Sequence, residues 1–166
     1  MAVNLSARQI RSGALDVSVQ SILEGLGLAP GRLELELTET AMADDPEAAR
    51  LTLERLRAIG VSIAIDDFGT GYSSLASLKR FPIDRLKIDR GFVAEIGRVP
   101  NGTVIPEAVV SLSRLLGLES LAEGVEEAGQ LDFLRERGCP LGQGYHISRP
   151  LTAEAFVDWL KARASF

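Results

Sequence analysis

Residues 33–67 read LELELTETAMADDPEAARLTLERLRAIGVSIAIDD. Leu33–Thr38 and Val61–Asp66 are short apolar-rich runs of strand length. Between them Asp45 is placed to cap a helix, Pro46 suits its first position, and Glu47 follows. Ala49, Leu53 and Leu56 then recur on one face, and Gly60 stops the helix. A strand, a helix and a second strand in this order imply parallel strands joined by a right-handed crossover. The run Val61–Ile65 suits a strand buried on both faces.

The same pattern extends in both directions. Further strands are expected at Ala2–Leu5, Arg85–Asp89, Ser120–Glu123 and Gly142–Tyr145. Leu15, Val19, Ile22 and Leu26 recur at helical spacing before Gly27, and Val109, Leu112 and Leu116 do so between Pro106 and Gly117. A short helix is expected over Ser74–Phe81, closed by Pro82, and a longer one over Glu126–Arg137, ended by Gly138. The last helix starts after Thr152, with Leu151 and Phe156 at the spacing of a hydrophobic staple. Gly97–Thr103 reads as a loop within the domain.

Composition narrows the class. The 166 residues carry 18 Lys and Arg against 23 Asp and Glu, a net charge of −5, so no broad basic footprint points to DNA or RNA. No apolar run approaches the roughly 18 residues that span a bilayer, and no segment reads as a signal peptide. A single cysteine, Cys139, can form neither an internal disulfide nor a thiolate metal cluster. These features fit a cytoplasmic α/β domain without membrane contact through this segment.

The polar residues fall in a pattern. Asn4, Glu36, Asp66 with Asp67, Lys87 with Asp89, Glu123 and Gln143 each lie at or near the C-terminal end of an expected strand. In parallel α/β folds that edge carries the active site, whether the sheet is open or closed. A closed barrel of eight units takes roughly 250 residues, about 31 per unit. The six strands of a 166-residue chain therefore make either an open sheet or part of a barrel.

Asn4, Glu36, Asp66 and Asp67 are all oxygen donors, the set preferred by hard cations such as Mg²⁺, Mn²⁺ or Ca²⁺. Adjacent aspartates can serve two ions, one carboxylate bridging, as in two-metal displacement at phosphorus. Lys87 is placed to orient or polarise an attacking water, and Glu123 to bind the second ion or take a proton. The glycines and hydroxyl residues of Phe68–Ser74 suit a flexible loop near phosphate.

The string Asp66-Asp67-Phe68-Gly69-Thr70-Gly71-Tyr72-Ser73-Ser74-Leu75 resembles the signature of the EAL domain, a bacterial family that hydrolyses cyclic di-GMP to linear pGpG. Val3-Asn4-Leu5-Ser6, Glu36-Leu37-Thr38-Glu39, Leu86-Lys87-Ile88-Asp89, Ala122-Glu123-Gly124-Val125-Glu126 and Gln143-Gly144-Tyr145 agree in order and spacing. The resemblance implies Asn4, Glu36 and Asp66 at one metal and Asp66, Asp67 and Glu123 at a second, Mg²⁺ or Mn²⁺ in each case. It implies that Lys87 meets the catalytic water and that Glu39 anchors the glycine loop. Asp89, Glu126 and Gln143 would support the site or touch nucleotide.

The implied fold is an incomplete (β/α)8 TIM-type barrel of about six strands and six helices, residues 1–166 being a single partial domain. The Glu-Ala-Leu motif and the two strands that precede Asn4 in the family are not represented in these residues. That suggests two further expectations. One is pairing of the open edge, either in a homo-oligomer or with the N-terminal part of the same domain. The other is an alternative function, a module that binds cyclic di-GMP or a partner protein without turnover.

Several residues have plainer readings. Glu34, taken to lie on the strand face opposite Glu36, is read as a solvated or helix-pairing carboxylate. His146 is read as an ordinary residue after the last strand, Cys139 as a buried small hydrophobe, and Phe156 and Trp159 as helix-packing residues.

Overall fold

The computed structural model describes residues 1–43, 45–70 and 78–163. Among these residues six strands form one sheet in chain order: β1 (Ala2–Asn4), β2 (Glu34–Thr38), β3 (Ser62–Phe68), β4 (Arg85–Ile88), β5 (Glu119–Ala122) and β6 (Leu141–Gly142). All five pairings are parallel. Among the described residues, the connections from β1 to β2, β2 to β3, β4 to β5 and β5 to β6 carry helix, as suits parallel pairing. The described helices are α1 (Ala7–Ile10), α2 (Leu15–Leu26), α3 (Glu39–Ala43), α4 (Pro46–Ile59), α5 (Arg90–Glu95), α6 (Val104–Leu116), α7 (Ala128–Glu136) and α8 (Ala153–Arg163). The arrangement is the arc of a TIM-type barrel, as expected. The helix expected over Ser74–Phe81 lies largely outside the described residues.

Local chemistry explains the long elements. The Asp45 carboxylate accepts from the Ala48 N–H at 3.1 Å with Pro46 in the first turn, and α4 ends at Gly60, whose φ of 100° an L side chain rarely adopts. The three short helices α1, α3 and α5, of four to six residues each, bring the described helices to eight rather than about six. Segments of that length span less than two turns, too few for a helical period to register. None of the described helices is long and apolar enough to cross a membrane.

The two faces of the sheet are chemically different. Leu35, Leu37, Ile63, Ile65, Leu86 and Ile88 point outward and pack under Leu23, Leu53, Leu56, Val109 and Leu134 of the helices. Each such side chain removed from water contributes about 1.5–3 kcal/mol before the entropy of ordering it is counted. The inner face carries charge. Arg85 pairs with Glu34 on β2 and, at 2.6 Å, with Glu119 on β5, while Lys87 pairs with Glu36 at 2.8 Å.

This corrects the reading of Glu34. Strand side chains alternate with a period of two, so Glu34 and Glu36 share a face, and the inner face is where Glu34 meets Arg85. Register adds a second cause. Ser62 and Ala64 stand between β2 and β4, opposite Glu34 and Glu36, and are small enough for the cations of β4 to reach across.

Candidate active site

The C-terminal ends of the strands place the candidate side chains along one edge. The centre is Lys87, whose side chain is 3% exposed. Its Nζ lies 2.8 Å from Glu36 Oε1, 2.9 Å from Asp66 Oδ1 and 2.6 Å from Glu123 Oε1. Burial, the largest single influence, pushes the ammonium pKa down, but the hydrogen bonds to Glu123, Glu36 and Asp66 outweigh it and hold the pKa above its ordinary value. Glu123 also accepts from Gln143 Nε2 at 2.7 Å. Its pKa is raised, because burial and the charges of Asp66 and Glu36 exceed the pull of Lys87.

Asp66, Asp67 and Glu123 each bring one carboxylate oxygen to within 4.8 Å of the others, close enough for a shared cation. The Asp67 pKa is raised, first by burial and then by the neighbouring charges of Asp66 and Asp89, with Lys87 opposing. Its backbone takes a φ of 51°, uncommon for a residue with a Cβ. Two sets of bonds define the turn around it: Thr70 Oγ1 donates to the Asp67 carbonyl at 2.8 Å, and the Gly69 N–H donates to Glu39 Oε1 at 2.8 Å. Glu39 itself is buried at the start of α3, directly after β2.

The remaining candidates take different places. Asn4 pairs in register with Glu36, so it belongs to the same inner face, exposed at the sheet edge. Asp89 caps α5, accepting from the Gly91 N–H at 2.9 Å. Glu126 is exposed, and its backbone N–H donates to Gln130 Oε1 at 2.8 Å. The loops carrying Glu123 and Gln143 are pressed together: a Cβ on Gly144 would fall 2.2 Å from the Val125 carbonyl oxygen, so only glycine fits. Cys139 is buried and bonded to backbone carbonyls, and His146 is exposed outside the carboxylate cluster.

An open cleft of about 540 Å³ adjoins the cluster, lined by Glu123, Glu126 and Gln143 and also by Arg90, Tyr145, Arg149, Phe156 and Trp159. The Arg149 guanidinium sits 4.7 Å from the Tyr145 ring centroid, and the Phe156 and Trp159 rings stack at 6.1 Å. Sequence reasoning did not single out Arg90 or Arg149, named Tyr145 only as part of the Gln143-Gly144-Tyr145 motif without a role, and assigned Phe156 and Trp159 to packing alone. The positions of Arg90, next to a strand-end aspartate, and of Tyr145, two residues after Gln143, were the available signals; Arg149 lies further along the chain and Phe156 and Trp159 come from α8.

This is a strand-end, all-oxygen site of the kind that suits hard divalent cations. A family model described as EAL domain matches residues 1–150, and the chain belongs to that family. It is 46% identical over 162 residues to the cyclic di-GMP phosphodiesterase NbdA of Pseudomonas aeruginosa, a match covering 98% of this chain and 21% of NbdA. The PaMucR phosphodiesterase, solved as a c-di-GMP complex, is 47% identical with a TM-score of 0.89, over 93% of this chain and 63% of that one. Klebsiella pneumoniae BlrP1, solved with cyclic di-GMP and either calcium or manganese, is 35% identical with a TM-score of 0.81, over 90% of this chain and 38% of that one. The chain spans about a fifth of the length of the first curated relatives it matches.

Proposed function

We propose that this chain is a partial EAL-type domain, residues 1–166, of a metal-dependent phosphodiesterase that hydrolyses cyclic di-GMP to linear pGpG in bacterial signalling within the cytoplasm. The observation that carries this reading is the gathering of Asp66, Asp67 and Glu123 within 4.8 Å, joined to Glu36 through Lys87. The donor set fits Mg²⁺ or Mn²⁺: the ligands are hard oxygens, and the upward shifts of Asp67 and Glu123 reflect crowded negative charge that a cation would relieve. Asn4, Glu36 and Asp66 would hold one ion, and Asp66, Asp67 and Glu123 the second. When bound, such ions supply a water of lowered pKa and stabilise charge on the departing oxygen.

The chain's own residues then have defined tasks. Lys87 orients the attacking water through an N–H, and Glu123 receives its proton. Water oxygen bonds to phosphorus as one phosphorus–ribose oxygen bond breaks, which opens the cyclic dinucleotide. Gln143 holds the Glu123 carboxylate, Glu39 holds the turn behind Asp67, and Asp89 and Glu126 support the site or contact nucleotide. β1 and β6 each have a single neighbour in the described sheet. Further strands of the same domain, or a second copy of the chain, would pair with those edges.

The test is incubation of the purified chain with cyclic di-GMP and Mg²⁺ or Mn²⁺, with product resolved by chromatography beside Asp66→Ala. Linear pGpG that depends on Asp66 supports the reading. A folded chain that binds cyclic di-GMP without product would instead be a binding module.

A further inference from the structure

Resting on the metal-site reading above, a further role for Lys87 follows from how its donors are used. An ammonium has three N–H groups and no acceptor. Glu36, Asp66 and Glu123 lie 2.6–2.9 Å from Nζ, so all three donors point at carboxylates. The side chain is 3% exposed, which leaves little room for water to take over any of these contacts. The same three carboxylates are ligands in the proposed metal centre.

We propose that Lys87 is the resident counter-ion of this site: it holds Glu36, Asp66 and Glu123 together before a divalent cation enters, and it competes with that cation for their oxygens.

Two physical consequences follow. Crowded, partly buried carboxylates stripped of the cation they share would repel each other and pull water inward, so the site needs Lys87 most when no metal neutralises it. Competition is also reciprocal: whatever Lys87 subtracts from metal affinity, bound metal subtracts from the hold of Lys87. A carboxylate oxygen ceded to a cation leaves one Lys87 N–H free. That N–H is the donor the proposed mechanism needs for the attacking water, so metal entry and arming of Lys87 become one event.

Mn²⁺ binding to the 166-residue chain is measured by titration calorimetry, and thermal unfolding is followed in chelator and in saturating Mn²⁺, for wild type, Lys87→Met and Lys87→Arg. Lys87→Met should bind Mn²⁺ at least about tenfold more tightly than wild type. It should melt several degrees lower in chelator and recover with Mn²⁺, while Lys87→Arg, which keeps the charge, stays near wild type. Equal or weaker Mn²⁺ binding by Lys87→Met overturns the proposal.

Should Lys87→Met fail to fold in either condition, the wild-type Lys87 ammonium is followed by ¹⁵N NMR during Mg²⁺ titration. A solvent-protected resonance that shifts on saturation supports the proposal, and one that stays fixed overturns it. Wild type that binds neither Mn²⁺ nor Mg²⁺ would instead refute the metal-site reading, a result separable from unchanged affinity in the variant.

Discussion

Replacing Glu39 by Ala should unfasten the turn behind Asp67, and the size of the effect can be worked from one contact and the burial around it. Glu39 Oε1 accepts the Gly69 N–H at 2.8 Å, a bond to a charged group worth about 1.5–3 kcal/mol. Gly69 is exposed, so water can take over its N–H, and removing a buried carboxylate also removes the cost of desolvating it. The net loss of stability should therefore be about 1–2 kcal/mol. With an m-value near 2 kcal/mol/M, that moves the urea midpoint by about 0.5–1 M.

The consequence for the site should be disproportionate. Asp67 holds a φ of 51°, a conformation that costs about 1–3 kcal/mol unless its surroundings impose it. Without the Glu39 contact the residue can relax and withdraw its carboxylate from Asp66 and Glu123, weakening Mn²⁺ binding by about tenfold, or about 1.4 kcal/mol. Glu39→Gln keeps an acceptor in place and should lose less than half as much on both measures. Urea unfolding by circular dichroism and Mn²⁺ calorimetry on the same samples decide the matter. Unchanged Mn²⁺ affinity in a destabilised Glu39→Ala protein would refute the link between this buried glutamate and the ligand turn.

Three other perturbations separate the site from the scaffold. Asp67 has a pKa raised above its ordinary 3.8, so repulsion and burial penalise the folded chain as pH rises through the folded value. In chelator, Asp67→Asn should be the more stable protein at pH 7, with the gain gone below about pH 4; a wild type that melts higher at pH 7 would contradict this. Leu53 is 0% exposed, and Leu53→Ala should cost about 2–5 kcal/mol in urea unfolding, with a loss under 1 kcal/mol showing that α4 is not packed as described. Gly144→Ala must displace backbone, because its Cβ would lie 2.2 Å from the Val125 carbonyl oxygen; it should either unfold the chain or abolish Mn²⁺ binding through Glu123, and wild-type behaviour on both counts would exclude the close approach.

How far the site could be read from sequence depends on how many residues a contact spans. Asp45 and Pro46 open α4 and Gly60 closes it, all within one turn of the features they specify, so local chemistry sufficed. The strand-end position of Glu36, Asp66 and Glu123 was legible because parallel strands put every C-terminal end on one edge, whatever the exact register. The Ser6 to Gln9 capping box at α1 was equally local, yet a four-residue helix has too little period to draw notice. Lys87 is different. Its contact with Glu36 crosses from β4 to β2 over β3, and it depends on a register fixed by the whole sheet and on small residues at Ser62 and Ala64. Arg85 repeats the arrangement two residues earlier with Glu34. The pairs 34/36 and 85/87 thus form a two-step ladder of opposite charge that period-two alternation exposes once β2 and β4 are set on one inner face. The lower step is a structural ion pair and the upper one reaches the candidate ligands, so the fold and the site are continuous in the same two strands.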